Sequence, residues 1–308
     1  MTMQAGNFGS LLEPGLREIF ETTVNRPRPM LETLFRVVPS DKYQERYQGM
    51  GANGLVQPFT GTVKYETFDA SYETVLRNYE LAQGLSVERR LFDDEQYGII
   101  RDRAQAMADA FDKTIEHDAV QVFINGFTDT GLNRLGQSLS GADGVGLLST
   151  AHPYSPAQSG TTQSNEDTLP LSLANLDLSR QRMWNWTDDK GDLMAVTPDT
   201  LLVPAELERT ATQILSERAV WEPGSAQFDV NMFSGRMKLL VWNRLTDANA
   251  WFVIDSQAMK RYLIWQWRIR PEFARTEDFD SLQAKFRGYM RYGIGWSHWA
   301  WIYGNNPA

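Results

Sequence analysis

Ser149, His152 and Asp143 are the residue types of a nucleophile, a base and its orienting acid, and they lie within one short stretch of chain. Hydrolysis by such a set needs the serine on a strained strand-to-helix turn that aims its hydroxyl at the imidazole. No nucleophile-elbow glycine pattern flanks Ser149, so His152-Pro153 reads instead as a loop fixed by an imidazole hydrogen bond. The acidic pairs Asp93/Asp94, Asp188/Asp189 and Glu277/Asp278 could divide the acid and base roles of a glycosidase, but helix capping and solvated turns account for all three. The run Gly141 to Gly146 lacks the Lys-Ser/Thr of a phosphate-binding loop. Asp129 and Asp143-Gly144 lack the alternating acids of a calcium loop. His117 stands between Glu116 and Asp118, and neighbouring positions on a helix diverge, so these three form no ready-made metal site. With no cysteine in the chain, thiolate zinc, iron–sulfur clusters and a Cys nucleophile drop out. The reading names no catalytic residue, metal or cofactor.

The elements that would position any site point to a construction of another kind. Of the 308 residues 42% are hydrophobic and 22% charged, which suits a large core and excludes bulk disorder. Thirty Lys and Arg stand against 39 Asp and Glu, a net charge of −9 that argues against a polyanion-binding protein. The N-terminus has no signal-peptide pattern and no stretch of eighteen apolar residues occurs, so a cytosolic, membrane-free protein is expected.

The spacing predicts a helix over 11–24 and a second apolar run over 30–38, ending at Pro39. Alternation over 61–68 and 85–92 predicts two strands, a hairpin with neither face fully apolar because Lys64, Glu66, Glu88, Arg89 and Arg90 lie within it. The intervening 69–84, with Tyr72, Val75, Leu76, Tyr79 and Leu81, carries apolar surface that needs a partner. A capping box at Asp93 and Gln96 opens a helical stripe from Ile99 to Phe123, a rod of roughly 45 Å. A Gly-, Ser- and Thr-rich stretch follows to Pro170, then a helix over 173–188, a buried strand over 200–203 and a helix opened by Pro204. The last hundred residues predict strands over 237–242, 251–254, 261–270 and 284–296. In the last of these Phe286, Gly288, Met290, Tyr292, Ile294 and Trp296 share one face, and Lys285, Arg287, Tyr289 and Arg291 the other. Leu263, Trp265, Trp267 and Ile269 form the matching apolar face of the preceding strand, with Gln266, Arg268 and Arg270 opposite. Seven tryptophans, Trp242, Trp251, Trp265, Trp267, Trp296, Trp299 and Trp301, are assigned to the core of this region.

The order of these pieces resembles the major capsid proteins of tailed bacteriophages with the HK97-type fold, the Mu-like major head subunits in particular. The residues that carry the resemblance are Tyr65-Glu66-Thr67, Arg77-Asn78-Tyr79, Phe92 to Gly98, Asn125-Gly126-Phe127, Leu147 to Pro153, Asn165, Pro198 to Pro204, Leu207-Glu208, Ala211, Leu245-Thr246-Asp247, Ala250-Trp251-Phe252, Arg270-Pro271-Glu272 and Asp278-Phe279-Asp280. The resemblance implies an α+β chain with a long spine helix, a projecting β-hairpin loop, an antiparallel peripheral sheet and an α/β axial domain. Its implied divisions are an N-terminal arm over 1–50, an extended loop over 51–92, a peripheral domain over 93–171, an axial domain over about 172–240 and returning strands over 241–308.

Such a protein is a virion shell component whose main partner is itself, assembled as hexamers and pentamers into an icosahedral shell around double-stranded DNA. Lys64, Glu66, Arg89, Arg90, Arg268, Arg270, Lys285, Arg287 and Arg291 are then the candidate contacts between subunits. No long N-terminal extension of the fused-scaffold kind is present, so a separate scaffolding protein is expected, with a portal and, in some heads, a decoration protein. DNA would be touched non-specifically at most, and crosslinking through Lys64 is not expected. The competing readings are an encapsulin-like nanocompartment shell and, in a different class, an acid–base hydrolase built on an Asp/Glu pair.

Overall fold

The computed structural model describes residues 8–307 apart from 53, 57, 60, 62, 64, 66–69, 91–93, 95–96, 159, 217–232 and 279–282. Its N-terminal part comprises α1 (Phe8–Val24), α2 (Pro29–Leu34), β1 (Arg36–Pro39), β2 (Gln44–Met50), β3 (Ala70–Arg77), β4 (Tyr79–Glu88) and the long α3 (Tyr97–Ile124). The middle holds β5 (His152–Pro153), β6 (Thr162–Gln163), β7 (Glu166–Asp167), α4 (Leu173–Trp184), β8 (Thr200–Val203) and α5 (Glu208–Leu215). The chain closes with β9 (Lys238–Val241), β10 (Trp251–Ile254), α6 (Ser256–Tyr262), β11 (Leu263–Asp278), β12 (Gln283–Trp296) and β13 (Ile302–Asn305).

At 28 residues, α3 is a rod of about 42 Å. Its buried stripe is Ile100, Ala104, Met107, Ala108, Phe111, Ile115, Ala119, Val120 and Phe123. That stripe lies on a four-stranded sheet of order β1-β11-β12-β4, with α1 packed beside it. Strands β11 and β12 pair antiparallel from Leu263↔Trp296 to Asp278↔Gln283, with irregular register between Trp267 and Glu272. Period-two alternation puts Phe286, Met290, Tyr292 and Ile294 in the core as the sequence predicts. The helix comes so close that a Cβ on Gly288 would stand 2.6 Å from the Phe111 ring.

A second sheet, of order β7-β13-β10-β8-β9, separates two apolar cores. Along β10, Phe252 and Ile254 enter the core shared with α3, whereas Trp251 and Val253 enter the one shared with α4 and α5. Leu202 on β8 likewise faces the first core, and Leu201 and Val203 the second. A strand buried on both faces is apolar on both, which explains the unbroken Leu201-Leu202-Val203 and Trp251-Phe252-Val253-Ile254. Six of the seven assigned tryptophans are buried, and Trp296 is half-buried against the first core.

Four sequence expectations need correction. The 30–38 run is helical only to Leu34: Val37 and Val38, β-branched, belong to β1, which pairs parallel with β11. The helix expected over 173–188 ends at Trp184, and the strand expected from 261 begins at Leu263, after α6 is capped by the Asp255 side chain. Among the described residues, the expected hairpin of 61–68 with 85–92 is not formed. Strand β3 pairs with β2, and β4 pairs with β12 over ten consecutive residues. Within the apolar stretch 69–84, Ala70–Arg77 is strand through its pairing with β2, and from Tyr79 onward the chain is strand because β12 gives Leu81, and Leu85 and Val87 beyond the stretch, a core to face. Of 61–68, Gly61, Val63 and Tyr65 lie outside any strand, and the rest, with the Asp93/Gln96 capping box, lie outside the described residues.

The close approach at Gly288 yields a direct test. Gly288→Val should force Phe111 and Phe20 aside and destabilise the subunit by about 1–3 kcal/mol, the usual cost of overpacking, read as a lower urea midpoint. An unchanged midpoint would mean that α3 does not seat on β12 as described.

Candidate functional site: an exposed arm and its anchor

The residues that resemble a hydrolytic set form a buried clamp. His152 is fully buried, its Nδ1 2.7 Å from Asp143 Oδ2 and its Nε2 3.1 Å from Asn165 Oδ1, and its ring stacks on Trp299 at 4.5 Å. The Asn165 amide donates to the Leu147 and Ile302 carbonyls, while its oxygen also accepts from the Ser149 amide. Ser149 Oγ accepts from the Ala151 amide, so the serine is used in a turn and not aimed at the imidazole. Burial, with the neighbouring His152, pushes His298 down to about 4, which leaves its Nδ1 unprotonated near neutral pH to accept the Ala300 amide at 3.0 Å. A second knot joins Asp118 on α3 to Arg134, at 2.7 and 2.6 Å, and to the Tyr292 hydroxyl. Both knots tie the Gly-rich 128–165 stretch to the scaffold.

Two clefts were candidates for chemistry. One of about 430 Å³, bounded by Phe123, Phe127, Leu245 and Phe252, carries a single carboxylate, Asp247. The other, of about 440 Å³ beside Arg182 and Trp186, carries none. Among the described residues no group of three His, Asp or Glu is placed to hold a metal, and no helix is long and apolar enough to cross a membrane.

What the subunit does expose is apolar. In the segment joining β2 to β3, Leu55 is 70% exposed, Val56 98%, Phe59 75%, Val63 60% and Tyr65 92%. Side chains of this size gain roughly 1.5–3 kcal/mol each when removed from water, so a cluster left outside argues for a covering partner. Sequence reasoning weighs Lys64 and Glu66 and the alternation of 61–68 but gives no weight to Leu55, Val56 and Phe59, which Gly and Pro interrupt and no period marks.

The arm is held at its root by a buried polar knot. Asn78, the single residue between β3 and β4, donates to Ser40 Oγ and to the Lys42 carbonyl, each at 2.8 Å. Its Oδ1 accepts from Gln266 Nε2 at 3.0 Å, and Gln266 Oε1 accepts from the Tyr47 hydroxyl on β2 at 3.2 Å. Asn78, Ser40 and Gln266 are all buried. Farther out, the Ala52 amide donates to Asp189 Oδ1 at 2.8 Å, tying the start of the arm to the turn after α4.

The charged candidates are scattered about this frame. Lys64 and Glu66 lie outside the described residues. Arg89 follows β4 directly, and Arg90 lies 3.6 Å from Glu88. Arg268 reaches Asp41 at 3.7 Å, and Arg270 lies over Trp267. On the outer face of β12, Lys285 pairs with Asp278 at 2.7 Å and the Arg287 guanidinium sits 5.8 Å from the Tyr289 ring, both side chains reaching solvent. Arg291 is mostly covered, its Nε 3.2 Å from Glu80.

A long spine, a sheet packed along it, a second unit behind a two-sided sheet and a projecting apolar arm define a shell subunit of the HK97-type capsid fold. The chain belongs to the phage capsid protein family, whose model matches residues 73–305. It is a structural protein of the virion capsid. The capsid subunit of bacteriophage JBD30 is similar, at 13% identity and a TM-score of 0.55 over 72% of this chain and 92% of that one. The mature capsid of bacteriophage PhiM1 is similar at 12% identity and a TM-score of 0.54, over 92% and 88%. So is a virus-like particle from Pyrococcus furiosus, at 11% identity and a TM-score of 0.50, over 95% and 98%. At such identities the likeness is one of fold. No match is found among curated proteins.

The anchor generates a prediction. Asn78→Ala should leave Gln266 and Ser40 without their buried partner, at a cost of about 1–3 kcal/mol. It should release the arm root more than the core, so proteolysis between β2 and β3 should quicken while the far-ultraviolet circular dichroism stays native. Unchanged proteolysis would show that the knot does not hold the arm.

Proposed function

We propose that this chain assembles with copies of itself, as hexamers and pentamers, into an icosahedral shell that encloses phage double-stranded DNA. The observation that carries this reading is the exposed apolar arm from Leu55 to Tyr65, a surface that a free subunit leaves unfinished. In this reading the spine helix with its sheet is the peripheral part, the unit around α4 and α5 is the axial part that meets its copies about the symmetry axes, and the arm lies across a neighbour. The first 50 residues act as the N-terminal arm. A separate scaffolding protein, a portal and in some heads a decoration protein complete the partners, and DNA is touched non-specifically at most.

The role is structural and not enzymatic: the His152 cluster is consumed by loop fixation, and neither cleft brings two carboxylates together. Family membership favours DNA over a protein cargo as the content. Lys285 and Arg287, which still reach solvent, are the foremost contacts between subunits, supported by Arg89, Arg90, Arg268 and Arg270 and by Lys64 and Glu66 of the arm. Each exposed ion pair is worth only about 0–1 kcal/mol, so shell stability rests on repetition and on covered apolar surface. Arg291, paired with Glu80, contributes first to the subunit itself.

Negative-stain microscopy of the purified protein, alone and co-expressed with a candidate scaffolding protein, tests this reading. Closed shells or five- and six-membered rings are expected. Arg287→Glu should leave the subunit's melting unchanged and lower the yield of shells. A protein that stays monomeric under every assembly condition would overturn the proposal.

A further inference from the structure

Arg180, on α4, is a buried cation whose charge is poorly matched. The residue is 8% exposed, and its Nε is buried with no hydrogen-bond partner among the described residues. Asp177, its ion-pair partner on the same helix, stands 3.8 Å from Nη1, too far for a hydrogen bond. Other covered cations in this chain are met closely: Arg28 Nε donates to Asp112 at 2.8 Å, and Lys260 Nζ to the Phe35 carbonyl at 2.8 Å. Taking a charge out of water is costly, and only close acceptors offset that cost.

What surrounds the guanidinium is aromatic and cationic. Its carbon lies 4.7 Å from the centre of the Trp184 ring and 4.8 Å from that of Phe233. Such rings attract the charge through their faces but offer no oxygen to its N–H groups. Phe233 begins a turn closed by the Arg236 amide on the Phe233 carbonyl at 3.1 Å, with Gly235 at a φ of +68°. The turn thereby sets a second cation, Arg236, near enough to act on Arg180. Burial lowers the Arg180 pKa from the ordinary arginine value, Asp177 offsets part of this, and Arg236 adds to it.

We propose that Arg180 and Arg236 form a binding site for an oxyanion, a carboxylate or phosphate group whose oxygens accept from the guanidinium. The Arg180 side chain keeps 10% of its surface open, which gives such a group its approach, and Arg236 is exposed beside it. A planar fork of donors matches two oxygens of one group, and the oxyanion supplies both the charge and the acceptors that the rings do not. Two sources carry this chemistry. One is a free ion. The other, resting on the shell reading above, is an acidic side chain of a second copy, and a chain of net charge −9 has acids to offer.

Urea midpoints of the free subunit, measured in sodium phosphate and in sodium chloride of equal ionic strength, test the site. In chloride, Arg180→Met should be at least as stable as the unsubstituted chain, because it removes a poorly matched buried charge and keeps a long apolar side chain. For a free ion, phosphate should raise the unsubstituted midpoint more than that of Arg180→Met, which feels only the general stabilisation by excluded salt. Arg236→Gln, on the exposed turn, should then need several times more phosphate for the same shift. For a carboxylate from a second copy, phosphate should not separate the variants, but Arg180→Met shells should come apart at lower urea than unsubstituted shells. An Arg180→Met subunit that unfolds well below the unsubstituted one in chloride would show the charge already satisfied by its rings and overturn the inference. Phosphate responses that do not separate the variants, together with shells that come apart alike, would overturn it too. If the unsubstituted chain forms no shells, the shell reading and the second source fall together, and the phosphate response alone decides the site.

Discussion

Everything that projects from this subunit is held by the seam along which α3 lies on β12 and β4, with α1 beside it on β11. Phe111, Ile115 and Phe123 of the helix share one core with Phe286, Met290 and Tyr292 of β12, Phe35 bridges Phe123 to Trp265 of β11, and the contact at Gly288 leaves no room for a side chain. Burial of this kind is non-directional, but close packing makes it rigid. Only on such a platform can a ribbon of two strands, marginal by itself, hold a long arm away from the body.

The polar clusters serve the same end. Asn78 and Gln266 fix the root of the arm, Asp118 with Arg134 and Tyr292 pins the start of the Gly-rich stretch, and His152 with Asp143 and Asn165 pins its end. Each would be expensive if half satisfied, and in each the principal donors and acceptors meet. A histidine and an acid at hydrogen-bond distance is therefore here a structural device. What separates it from a catalytic pair is the third partner, an asparagine that occupies the far ring nitrogen where a nucleophile would have to stand.

Much of the architecture was legible in the sequence because its signals are periodic. The stripe from Ile100 to Phe123 gives the spine, and the alternation from Phe286 to Trp296 gives the sheet and its facing. The unbroken apolar runs of β8 and β10 identify strands buried on both sides, although only the fold says that two separate cores lie against them. The pairing of the hairpin is not legible locally because 61–68 has the better strand pattern, whereas the strand that joins the sheet, β4, owes its state to pairing with β12 some two hundred residues away. The apolar arm escaped notice for the opposite reason. Leu55, Val56 and Phe59 have no periodicity, and nothing local distinguishes an exposed apolar residue from a buried one.

The central claim is that this surface is open in the free subunit and closed by copies of the same chain. Hydroxyl-radical footprinting of Phe59 and Tyr65, compared between free subunits and purified shells, tests it most directly. The account predicts rapid oxidation of both rings in the free subunit, as expected of side chains 75% and 92% exposed, and strong protection in the shell. Equal labelling in the two states would contradict it.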